Sequence, residues 1–223
     1  MGAVKLYKYL DFNGGLMMLY HSNLQFTNAT QLNDPFDCHP SLIDFSNVPK
    51  EACGGWTPEI IEELRRDPFR RTREEVWICS LSKIHDSILM WSYYSKHKGI
   101  CVGLDMEKAQ KYLSRIYGKI MISCSVVEVQ YKDIVEKPDY FRDAKDFFHY
   151  QLSTKAKAWE HEQEVRLFIL DPWPTYMSLL PRQNDDKGPI DWKEVRAFSE
   201  IGGECFESVY LCLLYTSPSP RDA

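Results

Sequence analysis

Hydrophobic and polar positions alternate at the start of the chain, where Val4-Lys5-Leu6-Tyr7-Lys8-Tyr9-Leu10 predicts a strand with one buried face. Asn13-Gly14-Gly15 predicts a turn, and Leu16 to Tyr20 a buried helical turn or two. Leu24-Gln25-Phe26-Thr27 alternates again and predicts a second strand. Asn33-Asp34-Pro35-Phe36-Asp37 is a dense turn signal, because Asn and Asp side chains bond nearby backbone and Pro35 pushes Asp34 towards an extended conformation. Residues 44–58 predict a surface excursion. Thr57-Pro58-Glu59 then opens a helix that runs through Ile60, Ile61 and Leu64 and stops before Pro68.

Val76 to Ser82 is an apolar strand that turns polar at its end, and Ser87 to Tyr94 is helical, closed by Lys98-Gly99 with Gly99 as a left-handed cap. The pattern continues with a strand at Ile100–Leu104, a helix at Glu107–Tyr117, a long strand at Ile120–Tyr131 and a helical stretch from Phe141 to Trp159. Glu162 to Leu170 predicts a strand in which Val165, Leu167 and Ile169 alternate with Glu164, Arg166 and Phe168, and Val209 to Leu211 begins another. Strands interleaved with short helices, without a regular βαβ period, predict an α+β fold. The expected architecture is a single domain over residues 1–211 with a mainly antiparallel sheet.

Composition narrows the function classes. The chain of 223 residues carries 27 Lys plus Arg against 32 Asp plus Glu, a net charge of −5, and 13% aromatics. That is enough apolar material for a real core, and the acidic balance argues against a dedicated nucleic-acid binder. The Arg65 to Arg73 cluster is balanced by Glu59, Glu62, Glu63, Glu74 and Glu75 and reads as a solvated helix face, with a nucleic-acid or phosphate patch as the alternative. No apolar run is long enough to span a bilayer and the N-terminus lacks a signal-peptide core, so a cytoplasmic protein with no membrane partner is expected. Seven cysteines without CxxC spacing form neither a disulfide framework nor a zinc ribbon and are expected to be buried and inert. Residues 212–223 form a Pro/Ser tail that resembles a translated sequencing adaptor, which predicts a domain cut short at its C-terminus.

Phosphate-loop, dinucleotide, HExxH and GxSxG motifs are absent. The chemistry must then come from polar residues placed where a core is expected. Lys155, Trp159, Glu162, Glu164 and Arg166 form one such set: two acids spaced two apart on a strand point to one face, which suits acid–base work or polarisation of a bound hydroxyl. From residue type alone the favoured reading is plainer: alternate acids on the exposed face of a strand, partnered by Arg166. Asn33, Asp34 and Asp37 form a second set, which a self-bonded turn also explains. Ser80 and Ser82 share a face at a strand end, near Trp91, Tyr94 and His97, while Tyr7 and Tyr9 fit core aromatics with wet hydroxyls.

The ordered set of Leu6-Tyr7-Lys8-Tyr9, Leu32 to Asp37, Cys79-Ser80-Leu81-Ser82, Leu89 to Tyr94 with His97-Lys98-Gly99, Val129-Gln130-Tyr131 and Lys155 to Arg166 resembles the bacterial and phage-associated family catalogued as domain of unknown function 2971. The resemblance spans Lys5 to Leu211 and implies a family without an assigned activity. A polar residue on the first strand, a Ser-x-Ser strand and a late Glu-x-Glu also resemble the order seen in ADP-ribosyltransferase-like enzymes. That analogy implies NAD or another nucleotide as ligand. It would put Tyr7 or Lys8 near the nicotinamide or phosphates, have Ser80 and Ser82 support the site, and set Glu164 beside an oxocarbenium-like centre.

On these grounds Glu164, Glu162, Tyr7 and Lys155 are the candidate catalytic residues. Asn33, Asp34, Ser80, Ser82, Trp91, Tyr94, His97 and Arg166 are the candidate ligand-binding residues, and no metal site is expected. The alternative is a non-catalytic ligand-binding or sensor module in phage defence, with the same residues forming a structural network.

Overall fold

A computed structural model describes residues 5–47, 57–66, 73, 75–118, 124–170 and 196–212. The fold is α+β. Eight antiparallel strands share one sheet: β1 (Lys5–Leu10), β2 (Asn23–Asn28), β3 (Val76–Ser82), β4 (Ile100–Asp105), β5 (Cys124–Glu128), β8 (Glu164–Leu170), β9 (Ala197–Glu200) and β10 (Phe206–Leu211). The short strands β6 (Gln130–Lys132) and β7 (Thr154–Ala156) form a separate parallel pair. The helices are α1 (Phe12–His21), α2 (Pro58–Arg66), α3 (Ile88–Ser95), α4 (Met106–Gly118) and α5 (Phe147–Ser153). Among the described residues, no helix is long and apolar enough to cross a membrane.

The sheet forks at β3. One side of β3 pairs along its whole length with β8, from Val76–Leu170 to Ser82–Glu164. The other side is shared end to end: β2 pairs at Trp77 and Ile78, and β1 only at Ser82, opposite Tyr7. From there β1 continues onto β4 and β10, and β2 onto β9. The backbone of β3 between these two pairings therefore borders a gap in the sheet.

Period-two alternation gives the two faces different jobs. Trp77, Cys79 and Leu81 of β3 and Val165, Leu167 and Ile169 of β8 join the main core, closed by Met18 of α1 and by Ala109, Leu113 and Tyr117 of α4. On the opposite face two smaller apolar clusters form: Val76 and Ile78 with Leu152 of α5, and Tyr9 and Cys101 with Met90 and Trp91 of α3. Between these clusters lie the polar residues of β3 and β8.

Several elements depart from the sequence reading. Asn13-Gly14-Gly15 is not a turn but the first part of α1, because Asp11 caps the helix by accepting the Gly14 N–H at 2.7 Å. Helix α3 starts at the Ser87 cap as its pattern predicts, but Lys96, not Gly99, takes the left-handed closing position (φ 51°). Gly99 serves a close approach instead: a Cβ there would lie 2.0 Å from the Leu10 carbonyl oxygen. The long strand predicted to Tyr131 is two strands, β5 and β6, broken at Val129, and residues 119–123 lie outside the described part. Of Phe141–Trp159 only Phe147–Ser153 is α-helical. The chain then extends as β7 and coils into a 3₁₀ turn over Lys157–Glu162. Tertiary demand overrides helical spacing there, since Lys155 has to reach buried carboxylates.

Of the cysteines, Cys38, Cys79, Cys101 and Cys205 are buried and Cys124 and Cys212 half-buried, all as free thiols. Burial pushes the Cys101 and Cys124 thiols up to about 12. Within the basic cluster, the Arg73 guanidinium donates to the Pro35 carbonyl at 3.1 Å. Arg70 and Arg71 lie outside the described residues, as does the Pro/Ser tail from residue 213.

Candidate functional site

The polar patch between the two smaller clusters is a charge network. Arg166, fully buried on β8, uses all five of its N–H donors. Nη1 and Nη2 grip Asp37 at 2.8 and 2.6 Å, Nε and Nη2 bond both oxygens of Glu164 at 2.9 and 2.8 Å, and Nη1 also reaches the Leu152 carbonyl at 2.8 Å. Lys155 sits beside it, with Nζ 2.6 Å from Glu162, 3.2 Å from Glu164 and 3.7 Å from Asp37, above the Trp159 ring at 4.8 Å. Tyr94 of α3 donates its hydroxyl proton to the other oxygen of Glu162 and accepts from the Asn33 amide at 3.1 Å.

The spacing of Glu162 and Glu164 predicts a shared strand face. The structure replaces that geometry while keeping its consequence. Glu162 ends the 3₁₀ turn, Glu164 begins β8, and Gln163 between them is left-handed (φ 42°). A non-glycine residue in that region carries strain, offset here because it turns both acids onto Lys155. Ser82 fixes the turn by donating to the Glu162 carbonyl at 2.7 Å, and the Tyr131 hydroxyl accepts the Glu164 N–H at 2.8 Å.

Among the described residues, the buried carboxylates of Asp37, Glu162 and Glu164 face the buried cations Lys155 and Arg166. Burial alone would raise the Glu164 carboxyl, but Arg166 and Lys155, with hydrogen bonds from Arg166 and Ser80, hold it well below the usual carboxylate range. Burial would likewise lower Lys155, yet the carboxylates of Glu164, Asp37 and Glu162 outweigh it and raise its pKa. Glu164 is therefore a fixed anion and Lys155 a fixed cation.

These shifts set an expected pH profile. The depressed Glu164 contributes stability that is complete above its unfolded pKa near ~4.3 and is lost as pH falls below it. Buried thiols with raised pKa values lose their contribution as pH climbs past ~8.5, and Lys155 follows above ~10.4. Urea unfolding at constant ionic strength should show a stability plateau between about pH 5 and 8 that falls on both sides. A plateau that persisted down to about pH 3 would contradict the ion-paired state of Glu164.

Beside the network opens a cleft of about 360 Å³, at the fork between β1, β2 and β3. Of the expected catalytic residues, Tyr7, Lys155, Glu162 and Glu164 all line it. Asn33, Ser80, Ser82 and Tyr94 of the expected binding residues line it too. The other four do not. Arg166 lies behind the carboxylates; Asp34 turns its side chain to the Phe36 N–H at 2.9 Å; Trp91 packs edge-on against Tyr9 at 5.1 Å; His97 holds a left-handed position after α3.

The cleft also holds Asp37, Lys8, Thr27, Gln31 and Arg196, which the expected set omits. Asp37 reads in sequence as one acid of a turn. The signal that marks it is Arg166, an arginine between Val165 and Leu167 on a strand, which must find a buried carboxylate. Lys8 crosses the gap in the sheet to donate to the Ser80 carbonyl at 2.8 Å.

Comparison with known proteins finds one family. The family described as "Protein of unknown function (DUF2971)" matches residues 90–167, the stretch that runs from α3 through Glu162, Glu164 and Arg166. No curated protein and no solved structure matches the chain.

Proposed function

We propose that this chain, a member of the DUF2971 family through residues 90–167, is an NAD-consuming enzyme of the ADP-ribosyltransferase-like type. The reading rests on one observation: the three strands that carry the resemblance are neighbours in the sheet. Ser82 of the Ser-x-Ser strand pairs with Glu164 of the Glu-x-Glu segment on one side and with Tyr7 of the first strand on the other. All three border one open cleft.

The chemistry follows from the charges. When the glycosidic bond of NAD breaks, both electrons stay with the ring nitrogen and nicotinamide leaves neutral, so positive charge develops on the ribose. A carboxylate held ionised at that point stabilises the transition state without needing a proton of its own. Glu164 is such a group, held ionised on the lining of the cleft. Glu162, held by Tyr94 and Lys155, would accept a hydrogen bond from an attacking hydroxyl and then its proton. Tyr7 and Tyr94 supply aromatic walls.

The test is incubation with NAD, following free nicotinamide by chromatography and the melting temperature by scanning fluorimetry. Binding to the folded state raises the melting temperature with ligand concentration. Nicotinamide release together with a concentration-dependent rise is expected; neither effect at millimolar NAD overturns the reading. A second reading, a non-catalytic ligand-binding or sensor module, draws on the saturation of Arg166, whose five donors are all used inside the protein. Under it, NAD or another nucleotide raises the melting temperature with no nicotinamide released.

A further inference from the structure

We propose that Arg196 and Lys8, standing on the two arms of the forked sheet, form an anion subsite in the cleft that takes the phosphate groups of its ligand. The inference rests on the reading of the cleft as a nucleotide site, but it concerns residues outside the Glu164 network.

Among the described residues, every carboxylate lining the cleft is already engaged: Asp37 with Arg166, Glu164 with Arg166 and Lys155, and Glu162 with Lys155 and Tyr94. The two remaining cleft cations have no such partner among the described residues. Lys8 is half-buried on β1 and donates only to a neutral acceptor, the Ser80 carbonyl, at 2.8 Å. An ammonium with one neutral partner keeps most of its charge available to a ligand.

Arg196 is exposed and lines the cleft from the start of β9, one residue beyond the Phe26–Ala197 pair that fixes β9 against β2. It makes no ion pair or hydrogen bond among the described residues. Thr27 and Gln31, which line the same cleft, add a hydroxyl and an amide. A planar guanidinium of this kind matches two phosphate oxygens at once, and an ammonium adds a point charge, so the pair suits a pyrophosphate better than a lone carboxylate. The cleft lining thus carries two further cations, Lys8 and Arg196, besides the Glu162–Glu164–Lys155 cluster. A nucleotide bound there would lay its phosphates on those two cations.

Isothermal titration of the wild-type chain and of Arg196→Gln tests this with four ligands: NAD, ADP-ribose, nicotinamide riboside and inorganic pyrophosphate. Arg196 is exposed, so the variant is expected to fold, and its melting temperature without ligand checks that. Loss of a charge-assisted contact should raise the Kd for NAD, ADP-ribose and pyrophosphate about tenfold or more, and leave nicotinamide riboside unchanged. Arg196→Lys should recover part of the loss. Equal Kd values for the phosphate ligands in both proteins overturn the subsite, as does failure of all of them to bind the wild type. The two proposals fail separately. Arg196-dependent binding without nicotinamide release supports the subsite and sinks the reaction, whereas release at wild-type rate and affinity by Arg196→Gln sinks the subsite alone.

Discussion

Replacing Arg166 with Met is expected to destabilise the protein by about 3–5 kcal/mol, a large part of what a domain this size has to lose. The substitution leaves Asp37 and Glu164 buried with Lys155 as their one remaining cation, and strips the Leu152 carbonyl of its donor. Solvent cannot make up the loss, because Asp37 and Arg166 are at most 2% exposed. The cost is mainly that of the stranded carboxylates, so it should shrink when one of them is removed as well. In Arg166→Met combined with Asp37→Leu the total should fall short of the sum of the single losses by about 1 kcal/mol or more. Urea unfolding of the two single variants and the double variant measures this. A cost below about 1 kcal/mol for Arg166→Met would show that the buried pairs contribute little and that the apolar clusters alone hold this face.

How much of this was legible in the sequence follows from how local each feature is. Strand β3 and helix α3 read correctly because their signals lie within a few residues: an apolar run turning polar for Val76–Ser82, and a Ser87 cap ahead of an aromatic stretch. The same local reading failed over Phe141–Trp159. Residues there form helix, strand and 3₁₀ turn in succession, since Tyr131 pairs with Lys155 and so directs its ammonium to acids elsewhere in the chain. Left-handed Gln163 is similarly invisible, having no glycine or asparagine to mark it.

Within the site, the conjunction of Tyr7, Ser80, Ser82, Glu162 and Glu164 could be suspected from their order in the chain. The partners that define their charge could not. Asp37 meets Arg166 across 129 positions, and Arg196 reaches the cleft only because β9 pairs with β2. Pairings at that separation are products of the folded sheet rather than of any window of sequence. The fork itself is of this kind: nothing in the pattern of β1 or β2 says that both abut the same edge of β3.

The second large effect expected is on the reaction. Glu164→Gln should lower the rate of nicotinamide release by about 100-fold or more, the usual scale for deleting one fixed electrostatic partner of a developing charge. It should also lower the melting temperature. The carboxylate accepts Arg166 on both oxygens and Lys155 on one, and a carboxamide would turn its NH₂ group towards one of those donors. A fall in both quantities would leave charge and structure entangled. Glu162→Gln separates them.

In that variant the carboxamide oxygen can still accept from Lys155. Its NH₂ group can donate to the Tyr94 oxygen once that hydroxyl rotates its proton away, so the hydrogen bonds survive while the charge goes. Nicotinamide release is therefore expected to fall in Glu162→Gln with the melting temperature and the Kd for NAD near wild type, a loss in kcat rather than in binding. The opposite pattern is equally sharp. Should both variants release nicotinamide at the wild-type rate and differ only in melting temperature, the carboxylates serve the fold alone. The cleft would then be a binding site with an ion-paired wall rather than a place where a glycosidic bond is broken.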